Sequence, residues 1–108
     1  MKQMRHGDVI LIPITAQEAE NMKKDAKKID HENGRIILAY GEVTGHCHSL
    51  ICKDANLWQV SENNKLLELP AISKLSHQEH KTIELQPGCY QIVQKRQYTP
   101  NGWETVSD

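Results

Sequence analysis

A chain of 108 residues with a formal net charge of −1 can build one compact domain and is too short for two full cores. Its 13 basic and 14 acidic side chains nearly balance, so total charge gives no reason to expect a nucleic-acid or acidic-membrane partner. Apolar residues make up 38% and Phe is absent, so Val, Ile, Leu, two Trp and three Tyr must fill the interior, a mixture that favours strands.

The N-terminal "MKQMRHGDVILIPI" has only a short apolar stretch, broken by Pro13, which is neither a membrane span nor a secretory core segment. Cys47, Cys52 and Cys89 are odd in number in a chain with no export signal, which predicts reduced thiols and a cytoplasmic setting. The β-branched "GDVILIPI" reads as a first strand over residues 8 to 14, with Pro13 arguing for its end or an edge. Thr15 followed by Glu18 makes a capping box, and Ala19, Met22, Ala26 and Ile29 recur at helical spacing, predicting one substantial helix near residues 16 to 29.

"HENG" at 31 to 34 closes on Asn-Gly, a hairpin turn signal, before the strand "RIILAYGEV". "NLWQV" and "KLLELPAI", separated by "SENN", read as a hairpin. "TIEL" leads into Gln86-Pro87-Gly88-Cys89, which fits a type II turn, and then into the long strand "CYQIVQKRQY", the turn "TPNG" and "WETV". The pattern predicts a mainly β, single domain over residues 1 to 108: a compact barrel or sandwich of six to eight short strands with one external helix. Read as an edge, "CYQIVQKRQY" would need a partner strand, which predicts a homodimer.

Two histidine pairs carry the chemistry. In "GEVTGHCHSL", residues 41 to 50, His46 and His48 project to one side of a strand with Cα atoms roughly 6.6 Å apart, while Cys47 points away. In "SHQEH", residues 76 to 80, Ser76 and Glu79 form a second capping box that predicts a single helical turn with His77 and His80 on one face. Each pair alone is explained as exposed polar sequence; together they predict one metal site of His46, His48, His77 and His80. Imidazole donors suit a divalent transition ion such as Zn, Fe, Ni or Cu. Gly41 and Gly45 clear space beside His46, Cys52 is a soft donor on the same face of a regular strand, and His31 reads as solvated. His6 reads the same way, at an N-terminal strand edge, and is a reserve ligand beside Gly7-Asp8.

"GEVTGHCH" resembles the first half of the cupin metal motif, a glycine before His-x-His on a barrel strand, and "ELQPGCYQI" resembles the Pro-Gly turn between later cupin strands. The resemblance covers about a quarter of the chain and implies only His46 and His48 as ligands. No Glu follows His48 at the cupin interval, and His77 and His80 precede the Pro-Gly turn instead of following it. The whole pattern is also similar to small bacterial and phage proteins to which no activity attaches.

Glu42 and Glu79 are the carboxylates nearest the pairs, suited to act as general base on a metal-bound water, although capping also explains Glu79. Three functions follow: a metal-dependent enzyme on a small-molecule substrate, an interaction module stapled by its ion, and metal-free phosphodiester cleavage by paired histidines. The glycines beside His46 favour an accessible ion.

Overall fold

The computed structural model describes residues 2–40, 46–78, 80–99 and 102–105. It opens on a hairpin, β1 (Met4–His6) turning through Gly7 and Asp8 into β2 (Val9–Ile14), so that His6 stands opposite Val9. Gly7 has a φ of 63°, the left-handed backbone that a two-residue hairpin turn needs at its first central position. Pro13 lies where β1 has already ended and β2 has β10 as its partner.

Helix α1 (Ala16–Lys23) begins as the capping box predicts: the Glu18 amide donates to Thr15 Oγ1 at 3.1 Å, and the Thr15 amide donates to Glu18 Oε1 at 3.1 Å. It stops eight residues in, short of residue 29. The chain turns at residues 24–26, and the end of the predicted helix is strand β3 (Lys27–Ile29), with Ile29 set opposite Leu57 and packed on the core. Ala26 and Ile29 fit helical spacing and a strand end equally well, and tertiary pairing decides for the strand.

After the Asn33-Gly34 turn, in which both residues have positive φ, come β4 (Ile36–Tyr40) and β5 (Cys47–Leu50), paired antiparallel. Strands β6 (Asn56–Ser61) and β7 (Asn64–Leu69) form the predicted hairpin, and β8 (Ser73–Leu75) pairs with β9 (Ile83–Leu85). The predicted long strand divides into β10 (Gly88–Gln94) and β11 (Arg96–Thr99), the latter pairing with β12 (Gly102–Thr105). Gly88 has positive φ, as the turn reading asks, but at 151° it is extended enough to pair already with Leu69. Twelve strands among the described residues exceed the predicted six to eight because several are only three or four residues long.

The main sheet has the order β1-β2-β10-β7-β6-β3, so β10 is interior. Over Cys89–Gln94 the predicted edge is therefore wrong, while Arg96–Tyr98 lie in the two-stranded β11–β12 sheet and are at an edge. Gln91 faces away from Tyr90 and Ile92, on the side of the sheet that also carries Ile12 and Leu66, and donates to Asn64 Oδ1 at 3.0 Å across the strand pair. One true edge, β3, carries exposed Lys27 and Lys28, which blunt strand addition.

The opposite face of the sheet presents Val9, Leu11, Leu57, Leu67, Tyr90 and Ile92 to a second layer made of the β4–β5 and β8–β9 pairs, which bring Ile36, Leu38, Leu50, Leu75 and Leu85. Each fully buried Leu or Ile contributes roughly 1.5–3 kcal/mol of transfer free energy. The two strand pairs are joined by one bridge in which Ser49 and Ser76 exchange both backbone hydrogen bonds, 3.0 and 2.9 Å. Helix α1 lies outside the main sheet, so the architecture is a mainly β, sandwich-like globule with one external helix. Among the described residues no helix is long and apolar enough to cross a membrane.

Candidate functional site

The Ser49–Ser76 bridge places the residue after His48 beside the residue before His77, so β5 delivers one histidine pair to the loop that carries the other. Ser76 spends its backbone on this strand-type bridge, which explains why the predicted helical turn over 76 to 80 is absent from its described residues. The pairs nonetheless meet. The ring centres of His48 and His77 are 4.4 Å apart, those of His77 and His80 4.6 Å, those of His46 and His77 5.7 Å, and the His48 and His80 rings stack at 5.8 Å.

A fifth imidazole joins them. His6, at the end of β1, is only 3% exposed, with its ring centre 4.9 Å from that of His48, 5.8 Å from His80 and 6.4 Å from His77. It is not the solvated residue the sequence suggests, because the Gly7-Asp8 turn folds it inward against β5. The turn backbone lies so close to the rings that a Cβ on Gly7 would stand 2.6 Å from His80 Nε2 and 2.9 Å from His48 Cε1.

Hydrogen bonds fix the orientation of the two deepest rings. A carbonyl can only accept, so His6 Nε2–H donates to Lys81 O at 2.9 Å, which leaves His6 Nδ1 facing His48 Nδ1 at 2.8 Å. On the far side of its ring, His48 Nε2–H donates to Asp8 Oδ1 at 2.9 Å, while Gln94 Nε2 donates to Asp8 Oδ2 at 2.9 Å. Burial alone would raise the Asp8 carboxyl, but the hydrogen bonds from His48 and Gln94 and the charge on His48 outweigh it and hold it below its ordinary value. Burial, and next to it the charge on His48, pulls His6 from 6.5 down to about 4. His6 therefore stays neutral, and because its Nε2–H is spent on a carbonyl, its Nδ1 is the acceptor in the contact with His48 Nδ1.

His6, Asp8 and His48 are buried, whereas His46, His77 and His80 are half-buried, so the cluster has a closed floor and a more exposed rim. Among the described residues no group of three or more His, Cys, Asp or Glu side chains is arranged to hold a metal ion as it stands. The deepest donors are instead closed on each other. Cys52 packs on the hydrophobic core, and His31 is half-buried with its Nε2–H donating to Ala55 O at 2.9 Å. Glu42 and Glu79, together with Gly41 and Gly45, lie outside the described residues. Sequence reasoning underrated His6 and missed Asp8, Gln94 and the Lys81 carbonyl. The signal that reaches the first two is "RHGDV", a Gly-Asp turn between short strand-forming segments, which sets a histidine and an aspartate beside one turn.

A family model described only as a domain of unknown function, DUF8820, matches residues 5–95, a span that contains all five clustered histidines, Asp8 and Gln94. No curated protein matches the chain, and no solved structure does.

Proposed function

The chain belongs to the DUF8820 family, and we propose on its geometry that it is a transition-metal-binding protein whose imidazole site is open on one side to a small molecule. One observation carries this reading. Imidazoles bound to one ion at about 2.1 Å have ring centres roughly 3.2 Å from it, so two such rings stand about 4.5 Å apart at right angles, about 5.2 Å at the tetrahedral angle and about 6.4 Å when opposed. All pairs among His6, His48, His77 and His80 have ring centres between 4.4 and 6.4 Å apart. Four rings gathered from three separated segments at that spacing suit a common ion, with His46 as a further imidazole beside His77.

Nitrogen donors favour Zn, Fe, Ni or Cu over Mg or Ca. The half-buried rim at His77 and His80 supports an ion reachable by water or a small-molecule substrate, where bound water would ionise near pH 7 by order of magnitude. Glu79, next to His80 in sequence, and Glu42, near His46, are the carboxylates proposed to accept its proton. The cupin likeness belongs to this proposal through His46 and His48 only. Three free cysteines fit a reducing compartment such as the cytoplasm.

Elemental analysis of untagged protein, reconstituted in turn with Zn²⁺, Fe²⁺, Ni²⁺ and Cu²⁺, is expected to give about one ion per chain. Absence of metal from every preparation would overturn the reading. With Co²⁺ in the site, a spectral response to azide separates an open coordination position from a closed structural staple.

The chain of hydrogen bonds from Asp8 through His48 to His6 favours a second reading, metal-free acid–base chemistry by the histidine pair. Hydrolysis of a model phosphodiester undiminished by chelators would select it.

A further inference from the structure

We propose that His6 and His48 take the ion through Nδ1, and that Asp8, braced by Gln94, is the positioning residue that holds His48 in the orientation this requires. The proposal rests on the metal-site reading and specifies its inner half. Both Nε2 atoms are committed to outward hydrogen bonds, His6 to the Lys81 carbonyl and His48 to the Asp8 carboxylate, so Nδ1 is the atom each ring presents inward. The two Nδ1 atoms are 2.8 Å apart. Ligands about 2.1 Å from one ion are separated by about 3.0 Å at right angles and about 3.4 Å at the tetrahedral angle, so exchanging the shared hydrogen for an ion opens the pair by only a few tenths of an ångström.

Asp8 is suited to this part for three reasons. It is 7% exposed, so its bond to His48 is shielded from competing water. Its second oxygen is occupied by Gln94, which prevents the carboxylate from turning towards the ion and becoming a ligand itself. Its backbone carbonyl accepts from the Lys95 amide at 2.9 Å, which ties the β1–β2 turn to the end of β10 from the other side. A carboxylate hydrogen-bonded to the outer nitrogen of a ligand imidazole fixes the tautomer and raises the basicity of the inner nitrogen.

The test is Zn²⁺ affinity by competition with a chromophoric chelator, together with long-range ¹H–¹⁵N correlation spectra that report which ring nitrogen is bound. Zn²⁺-loaded wild-type protein is expected to show His6 and His48 metallated at Nδ1 and protonated at Nε2. Asp8→Ala is expected to weaken affinity by about 10- to 100-fold and to mix the His48 tautomers. Asp8→Asn, which keeps an acceptor for His48, should lose less affinity and keep the wild-type pattern; if Asp8→Ala does not fold, the milder Gln94→Ala should weaken binding several-fold. Wild-type protein that takes up no Zn²⁺ would overturn the metal reading and this proposal together. Zn²⁺ uptake with Nε2 ligation, or affinity unchanged in the Asp8 and Gln94 variants, would overturn the positioning role and leave the metal reading standing.

Discussion

On the helix side of the main sheet, Lys23 reaches Glu20 at 2.8 Å and Glu68 at 2.9 Å, and Glu68 also accepts from Trp58 Nε1 at 2.7 Å. At the β1–β2 turn, Asp8 accepts from His48 and Gln94 at the same kind of distance, but the Asp8 and His48 side chains are 8% and 1% exposed. The two clusters make similar hydrogen bonds and differ in solvation. Water remains available to the Lys23 cluster, so each bond there replaces a good alternative and chiefly seats the helix. The Asp8 cluster has been removed from water, and its desolvation is offset only while every partner is present.

The widest separation between the two clusters is expected from Asp8→Ala. Deleting one partner of a buried pair should lower the stability of the metal-free protein by about 3–5 kcal/mol, read from denaturant midpoints at neutral pH. Acid should act on the same cluster with a defined sign. His6 titrates at 6.5 when unfolded and at about 4 when folded, so the unfolded chain binds the extra proton first. That contribution is complete above 6.5 and is lost as pH falls towards 4, by up to about 1.4 kcal/mol per pH unit. Metal-free protein should show this slope, and His6→Gln should flatten it.

Gly7→Ala tests the closeness of turn and rings. The positive φ and the contact with His80 should together cost about 2 kcal/mol, and because a half-buried ring can yield, the larger loss should be in Zn²⁺ uptake. Least is expected from Trp58→Phe in the exposed cluster, about 1 kcal/mol or less with no change in metal uptake. An equal response of the two clusters to their substitutions would dissolve the distinction between them.

What could be read from the sequence follows from the range of each interaction. The Thr15/Glu18 box, the Asn33-Gly34 turn and the β6–β7 hairpin are settled within a few residues, and local chemistry places them. The His46/His48 and His77/His80 pairs were legible as pairs for the same reason. His6 and Asp8 were not, because what buries them is β5 some 40 residues away, and no local pattern records that contact. The helix end and the "SHQEH" turn failed where a sheet neighbour competed for the backbone: β6 captured Lys27–Ile29, and Ser49 captured Ser76. No local pattern in "CYQIVQKRQY" records that β2 and β7 flank its first half, so the interior place of β10 was not legible either.

The sequence separation of the Asp8 partners also sets an order of events on the ribosome. Asp8 is translated early, His48 follows 40 residues later, and Gln94 arrives 86 residues after Asp8. Until β10 has been made and inserted between β2 and β7, the carboxylate lacks its second donor and the main sheet is two fragments. The nascent chain therefore gains nothing by burying Asp8 early, and water is its better partner. Closing so long a loop is slow compared with forming the local hairpins. The histidine cluster is accordingly expected among the last parts of the molecule to assemble, so an ion bound as proposed would meet a nearly finished fold.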